Sequence, residues 1–302
     1  MSLRNLDFYL HKREVFFGGV KGAGADVFKL IGAPLEMTVS FRGGTALAPS
    51  KIRDMSLNIE SYSLSFSVDF DDIGVDDLGD IEMVPGNLGK SLKRINDVVK
   101  EILQLGENVR IIILGGEHTL TLPAFKALNG SEGEGSLLVV ADAHLDLRDE
   151  YPLGVSISHA TVMRRIYEEL KPDIVFLGTR AVSKEELIYA KEHGLTFFTP
   201  GKFVKGIEYL EKSLKNNDYT SIYLSLDFDV FDPAYAPGVG NPEPGGITLR
   251  ELYSLLELLA DYPLKVIDLV EITPLFDPGN ITSILAAKIV EEIVCCLWSK
   301  LK

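Results

Sequence analysis

The chain has 302 residues, with 30 Lys and Arg against 44 Asp and Glu and 46% hydrophobic residues, a composition that excludes a disordered or fibrous protein. A net charge of -14 excludes a nucleic-acid partner, because affinity for a phosphate backbone needs clustered Lys and Arg. The only cysteines, Cys295 and Cys296, are adjacent and exclude a disulfide framework, which suits a reducing cytoplasm. Charges interrupt every apolar stretch before it reaches the ~18 residues of a membrane span, and MSLRNLDFYLHKRE is no signal sequence, so a soluble cytoplasmic protein with no membrane partner is expected.

Apolar runs recur in order along the chain: FKLIG from Phe28, SLSFSVDF from Ser63, VRIIILGG, SLLVVADAH, DIVFLGTR, LTFFTP, SIYLSLDFD and LKVIDLVEI. Several are continuously apolar, as strands of a parallel sheet covered on both faces must be. Between them KSLKRINDVVKEILQL (Lys90 to Leu105), HATVMRRIYEEL from His159, SKEELIYAKEHG and TLRELYSLLELLADY carry helical spacing, the last with Thr248 as its cap. Alternating strands and helices predict an α/β fold. No linker, repeat or break in composition divides the chain, and NGSEGEGS (Asn129 to Ser136) reads as an ordinary connection, so a single domain over 1–302 is expected. In such sheets ligands gather beyond the carboxyl ends of the strands.

Chemistry is dense at those ends. GGEHT places His118 after one strand, and SLLVVADAHLD places Asp142, His144 and Asp146 at alternate positions, which project from one side if the backbone stays extended. After SIYLSL, Asp227 and Asp229 repeat the spacing. Four carboxylates at buried strand ends need compensating charge, and with two imidazoles and no nearby thiolate the set suits two divalent ions, manganese rather than a thiolate-held zinc. His11 and His193 match no such pattern and are expected at the surface; Cys295 and Cys296 are expected on a packed helix.

GGEHT, DAHLD and SLDFDVFDPAYAPGVGNPEPGG resemble the metal motifs of the ureohydrolase family, which includes arginases and agmatinases, and the resemblance extends in order to TVSFRGGTALAPSKIR, SHATVMRRI and VEITPLFDP. It implies a three-layer arginase-like fold around a central parallel eight-stranded sheet flanked by helices. It also implies a homo-oligomer, trimer or hexamer, and hydrolysis of a guanidino substrate by water acidified between two Mn2+ per chain. The ligands carried over are His118, Asp142, His144, Asp146, Asp227 and Asp229; Asp146 also relays a proton, Glu271 pairs with the guanidinium and His159 shuttles protons to the departing amine.

The loop after Asp146 bears on the substrate. Arginases place an asparagine two residues after the relay aspartate and hydroxyl residues further on; here Arg148, Leu153 and Val155 stand there, and Ser183 replaces an aspartate that receives the α-amino group. DLRDEY instead resembles agmatinases, which implies agmatine as substrate, putrescine and urea as products and a place in polyamine biosynthesis. Arg148 is then expected to face away, since pointing inward it would repel the terminal amine unless Asp149 or Glu150 neutralised it. Guanidinobutyrase, with Arg148 as carboxylate anchor, and arginase are the alternatives within the family. Outside it stand a noncatalytic metal-binding assembly protein and a single-zinc deacetylase, which should lack the second metal's ligands, here His118, Asp146 and Asp229.

Overall fold

The computed structural model describes residues 4–19, 23–133 and 135–301. From the amino end, α1 (Arg4–Tyr9), β1 (Leu10–His11), β2 (Phe28–Ala33) and α2 (Ala48–Ser56) lead to a small ribbon, β3 (Tyr62–Ser63) and β4 (Val68–Asp69), then to α3 (Phe70–Ile73) and β5 (Asp76–Ile81). Strand and helix then alternate through α4 (Leu88–Leu103), β6 (Arg110–Gly115), α5 (Thr121–Glu132), β7 (Ser136–Ala141), α6 (Val162–Leu170) and β8 (Asp173–Leu177). The chain closes with α7 (Lys184–Glu192), β9 (Thr196–Phe198), α8 (Phe203–Asn216), β10 (Ser221–Asp227), α9 (Leu249–Leu259), β11 (Leu264–Val270) and α10 (Ile281–Leu301).

One sheet of nine strands, ordered β1-β5-β2-β6-β11-β10-β7-β8-β9, organises the molecule; β1 is antiparallel to β5 and the other eight are parallel. Strands β2, β7, β10 and β11 are buried along their whole length. Alternate residues feed two cores: Leu30, Ile112, Val139, Leu224 and Ile267 pack with α2, α8, α9 and α10 on one face, and Ile31, Ile113, Leu138, Tyr223 and Val266 pack with α4, α5, α6 and α7 on the other. The result is the three-layer arrangement that the family resemblance implies.

Two expectations are corrected. SLSFSVDF does not enter the sheet: it forms the β3/β4 ribbon, pairing Tyr62 with Asp69 and Ser63 with Val68. The eighth parallel strand is β5, whose sequence DDLGDI conceals it, and the short antiparallel β1 makes the sheet nine-stranded rather than eight-stranded. An acidic strand is tolerated because Arg53 of α2, 1% exposed, meets Asp77 at 2.7 Å and Asp80 at 2.6 Å. Elsewhere the helices fall as predicted: Thr248 forms a capping box with Glu251, and Cys295 and Cys296 are buried on α10. Of NGSEGEGS, Asn129 to Glu132 continue α5, and Glu134 lies outside the described residues. Among the described residues no helix is long and apolar enough to cross a membrane.

Candidate metal centre

The four central strands β6, β11, β10 and β7 are mutual neighbours, so their carboxyl ends open at one place. The backbone turns tightly after β6: a side chain at Gly116 would lie 2.0 Å from the Leu35 carbonyl oxygen, so only glycine fits, and His118 then starts the turn into α5. Strand β7 stops at Ala141, and Asp142 to Asp146 follow as a loop. The extended geometry expected for Asp142, His144 and Asp146 is therefore not what gathers them; Asp146 takes a left-handed backbone (φ 52°), which turns its carboxylate inward. From β10, Asp227 is the last residue, and its side chain accepts the amide N–H of Asp229 at 2.9 Å, fixing the turn between them.

The six residues converge. His118 Nδ1 lies 2.9 Å from Asp146 Oδ2 and 3.3 Å from both Asp142 Oδ2 and Asp227 Oδ2. His144 Nδ1 lies 2.9 Å from Asp229 Oδ2 and 3.6 Å from Asp142 Oδ1. Two groups able to hold an ion result, His118–Asp142–Asp146 and Asp142–His144–Asp229, with Asp142 common to both. Asp229 falls with Asp142 and His144, so of the three residues expected to mark a second ion only His118 and Asp146 share a group. The donors fit cations: His118 Nδ1 and Asp142 Oδ2 are buried and make no hydrogen bond among the described residues. Burial pushes the carboxyls of Asp227 and Asp229 up and that of Asp146 to about 7, while the two histidines hold Asp142 low. Burial works against charge on the histidines as well, yet the surrounding carboxylates raise both. Such a set asks for positive charge from outside the chain.

A relay behind the ligands escaped the sequence reading. His118 Nε2 lies 2.9 Å from Ser225 Oγ, whose proton goes to Asp268 Oδ1 at 2.7 Å; Asp268 also accepts Thr121 Oγ1 at 2.7 Å and Tyr223 Oη at 2.6 Å. With Ser225 donating to the carboxylate, His118 donates through Nε2 and keeps a lone pair on Nδ1, the atom facing the three aspartates. The signal was one Asp inside the apolar run LKVIDLVEI.

Glu271, His159 and Arg148 border a cleft of about 220 Å³ above this cluster. Glu271 follows β11 with φ 62°, accepts the His118 amide N–H on Oε1 at 2.7 Å, and has its carboxyl raised to about 8 by burial. His159, in the turn before α6, donates its amide N–H to Thr38 Oγ1 at 3.1 Å; burial pushes its imidazole down to about 4. Arg180 ties two cleft loops together, one nitrogen donating to the carbonyl oxygens of Asp229 and Glu243, each at 2.6 Å. Arg148 does not face away: it borders the cleft, its guanidinium 4.8 Å from the Tyr151 ring and its Nε 3.9 Å from Glu186 Oε2. Asp149 and Glu150 are not its partners, because Asp149 binds Arg165 at 2.7 Å and Glu150 accepts the Gly154 amide. Leu153 is 95% exposed, and neither it nor Val155 nor Ser183, which caps α7, borders the cleft. His11 and His193 are at the surface as expected.

Comparison with known proteins agrees with this geometry. The model of the arginase family matches residues 27–296. An agmatinase of Bacillus anthracis is 35% identical over 268 residues, 88% of this chain and 90% of its own length. A guanidinobutyrase of Pseudomonas aeruginosa is 33% identical over 275 residues, 88% of this chain and 85% of its own. The crystal structure of the agmatine ureohydrolase of Thermoplasma volcanium superposes with a TM-score of 0.84 at 32% identity, covering 96% of each chain. A family match that runs through all four central strands and both ligand loops leaves one conclusion: the chain belongs to the arginase family and is a ureohydrolase.

Proposed function

We propose that the chain, a single domain over 1–302, hydrolyses agmatine to putrescine and urea with two Mn2+ held by His118, Asp142, His144, Asp146, Asp227 and Asp229. One observation carries the reading: two ligand groups that share Asp142 present His118, Asp146, His144 and Asp229 to a cleft that Glu271 and His159 also border. When bound, a pair of divalent ions supplies an acidified water for attack on the guanidinium carbon. Glu271 orients the planar cation, its Oε1 held by the His118 amide and its Oε2 turned toward the loop at Gly240. Asp146 takes the proton of the attacking water, and His159 delivers a proton to the departing amine.

A terminal amine suits the rest of the cleft, where Glu186 and Glu243 stand beside Arg148, itself engaged by Glu186 and Tyr151. The position of Arg148 at the cleft favours a second reading, a guanidino acid whose carboxylate it receives, the kind of substrate for which the guanidinobutyrase relative is named. Urea release from a panel of agmatine, arginine and 4-guanidinobutyrate with added Mn2+ tests both, and agmatine is expected to be fastest. A cytoplasmic homo-oligomer, trimer or hexamer, acting in polyamine biosynthesis completes the proposal.

A further inference from the structure

The segment at Thr38 to Ser40 is built with more care than a loop requires. Glu117 is fully buried, and its carboxylate accepts the amide N–H of Met37 at 2.9 Å, that of Thr38 at 2.7 Å, and the Thr38 hydroxyl at 3.0 Å. Thr38 Oγ1 in turn accepts the amide N–H of His159. These bonds hold the two strand-end segments in one register and set Ser40 Oγ 3.2 Å from His159 Nε2. The other ring nitrogen, His159 Nδ1, is buried and has no hydrogen-bond partner among the described residues. His159 is only 7% exposed, whereas Ser40 is exposed and borders the cleft. The cleft is thus bordered both by the imidazole and by a hydroxyl within hydrogen-bond reach of its Nε2.

We propose that Ser40 is a catalytic residue, its hydroxyl relaying the proton from His159 to the departing amine; this rests on the ureohydrolase reaction proposed above. As the bond from carbon to the departing nitrogen breaks, its electron pair stays on nitrogen. That nitrogen takes the Ser40 Oγ proton while Oγ takes the proton of His159 Nε2. The imidazole, having first taken up a proton from solvent at the cleft, is left neutral, the form its burial favours, and Ser40 is regenerated. A hydroxyl suits this because it donates and accepts at one atom and turns freely about Cβ–Oγ.

The test compares wild type, Ser40→Ala and Ser40→Thr on agmatine and on its isothiourea analogue S-(4-aminobutyl)isothiourea, which also yields urea but whose departing group is a thiolate that leaves without a proton donor. Ser40→Ala should lower kcat on agmatine on the order of 10²-fold, a general acid–base contribution, with KM and metal content close to wild type. The loss should vanish on the isothiourea, and Ser40→Thr should stay within a few-fold of wild type. A loss of equal size on both substrates, or activity of Ser40→Ala within twofold of wild type on agmatine, overturns the relay and leaves the ureohydrolase reading standing. No urea from either substrate with wild-type enzyme overturns the functional reading, and the relay with it.

Discussion

Asp268 touches no expected ligand directly, yet its carboxylate decides which nitrogen of His118 is free to bind a cation. Replacing it by asparagine keeps shape and volume but puts an NH2 where a buried carboxylate accepts three hydroxyl protons, from Ser225, Thr121 and Tyr223. Ser225 then loses the acceptor for its own proton and turns it toward His118 Nε2, which becomes an acceptor; the ring proton moves to Nδ1, the atom that faces Asp142, Asp146 and Asp227. Loss of such a supporting hydrogen bond weakens metal binding about 10- to 100-fold, equivalent to about 1.4–2.8 kcal/mol. Competition against a chromogenic chelator measures this, with near-UV circular dichroism as the check on folding. Ser225→Ala should produce a loss of similar size, and the double variant should lose no more than the worse single one, because both act along one chain of bonds. Tyr223→Phe, which removes a donor to Asp268 Oδ2 and leaves Ser225 in place, should keep wild-type affinity. A folded Asp268→Asn protein that binds both ions as tightly as wild type would refute the tautomer argument, as would additive losses in the double variant.

The other predictions follow from the proposed centre. Chelation should abolish activity with Mn2+ restoring it best, and Asp229→Ala should lose at least one ion and nearly all turnover; one zinc per chain at full activity contradicts this. His159→Asn should reduce kcat by roughly 10²-fold with both ions retained, so a metal-depleted variant would remove its proton-transfer role. Agmatine should be preferred to arginine on the order of 10³-fold in kcat/KM, the worth of two or three charge-assisted hydrogen bonds to the α-amino-acid head; competition kinetics favouring 4-guanidinobutyrate would instead make Arg148 a carboxylate anchor. Glu291 on α10 has its carboxyl raised to about 7, chiefly by burial, so its neutral form stabilises the fold at acid pH and that contribution is lost as pH rises through about 7. Glu291→Gln should flatten the fall in Tm over that range, and an unchanged pH profile would show that the group does not matter.

What could be read from residues alone was set by how one-sided their surroundings are. Strands β7, β10 and β11 are buried on both faces, so their runs stand out, and the Asp-x-Asp spacing at their ends survives as a pattern even though a loop, not a strand, delivers Asp146. Strand β5 was hidden because its charge is answered by Arg53, more than twenty residues earlier in the chain, and no local window contains both halves of that ion pair. Asp268 and Ser225 were hidden for the same reason, since Ser225 on β10 meets Asp268 on β11 and His118 in the turn after β6, each far off in the chain. The direction of Arg148 could not be read because Glu186, which holds it, sits on α7. Left-handed backbone at Asp146 and Glu271 leaves no mark in composition, since neither residue type is one that demands it.

The order of strands in the sheet dictates when in the life of the chain the centre can exist. Strand β11, drawn from residues 264–270, is inserted between β6 and β10, and the hydrogen bond from the His118 amide to Glu271 spans 153 residues. A nascent chain emerging from the ribosome thus carries GGEHT and DAHLD long before their neighbours are made, and no amino-terminal fragment can close the middle of the sheet. Contacts this distant in sequence make folding slow. Cations cannot nucleate that process: they meet a complete set of donors only after the carboxyl-terminal third has docked, and they then act as a lock on the finished protein, slowing its unfolding rather than speeding its assembly.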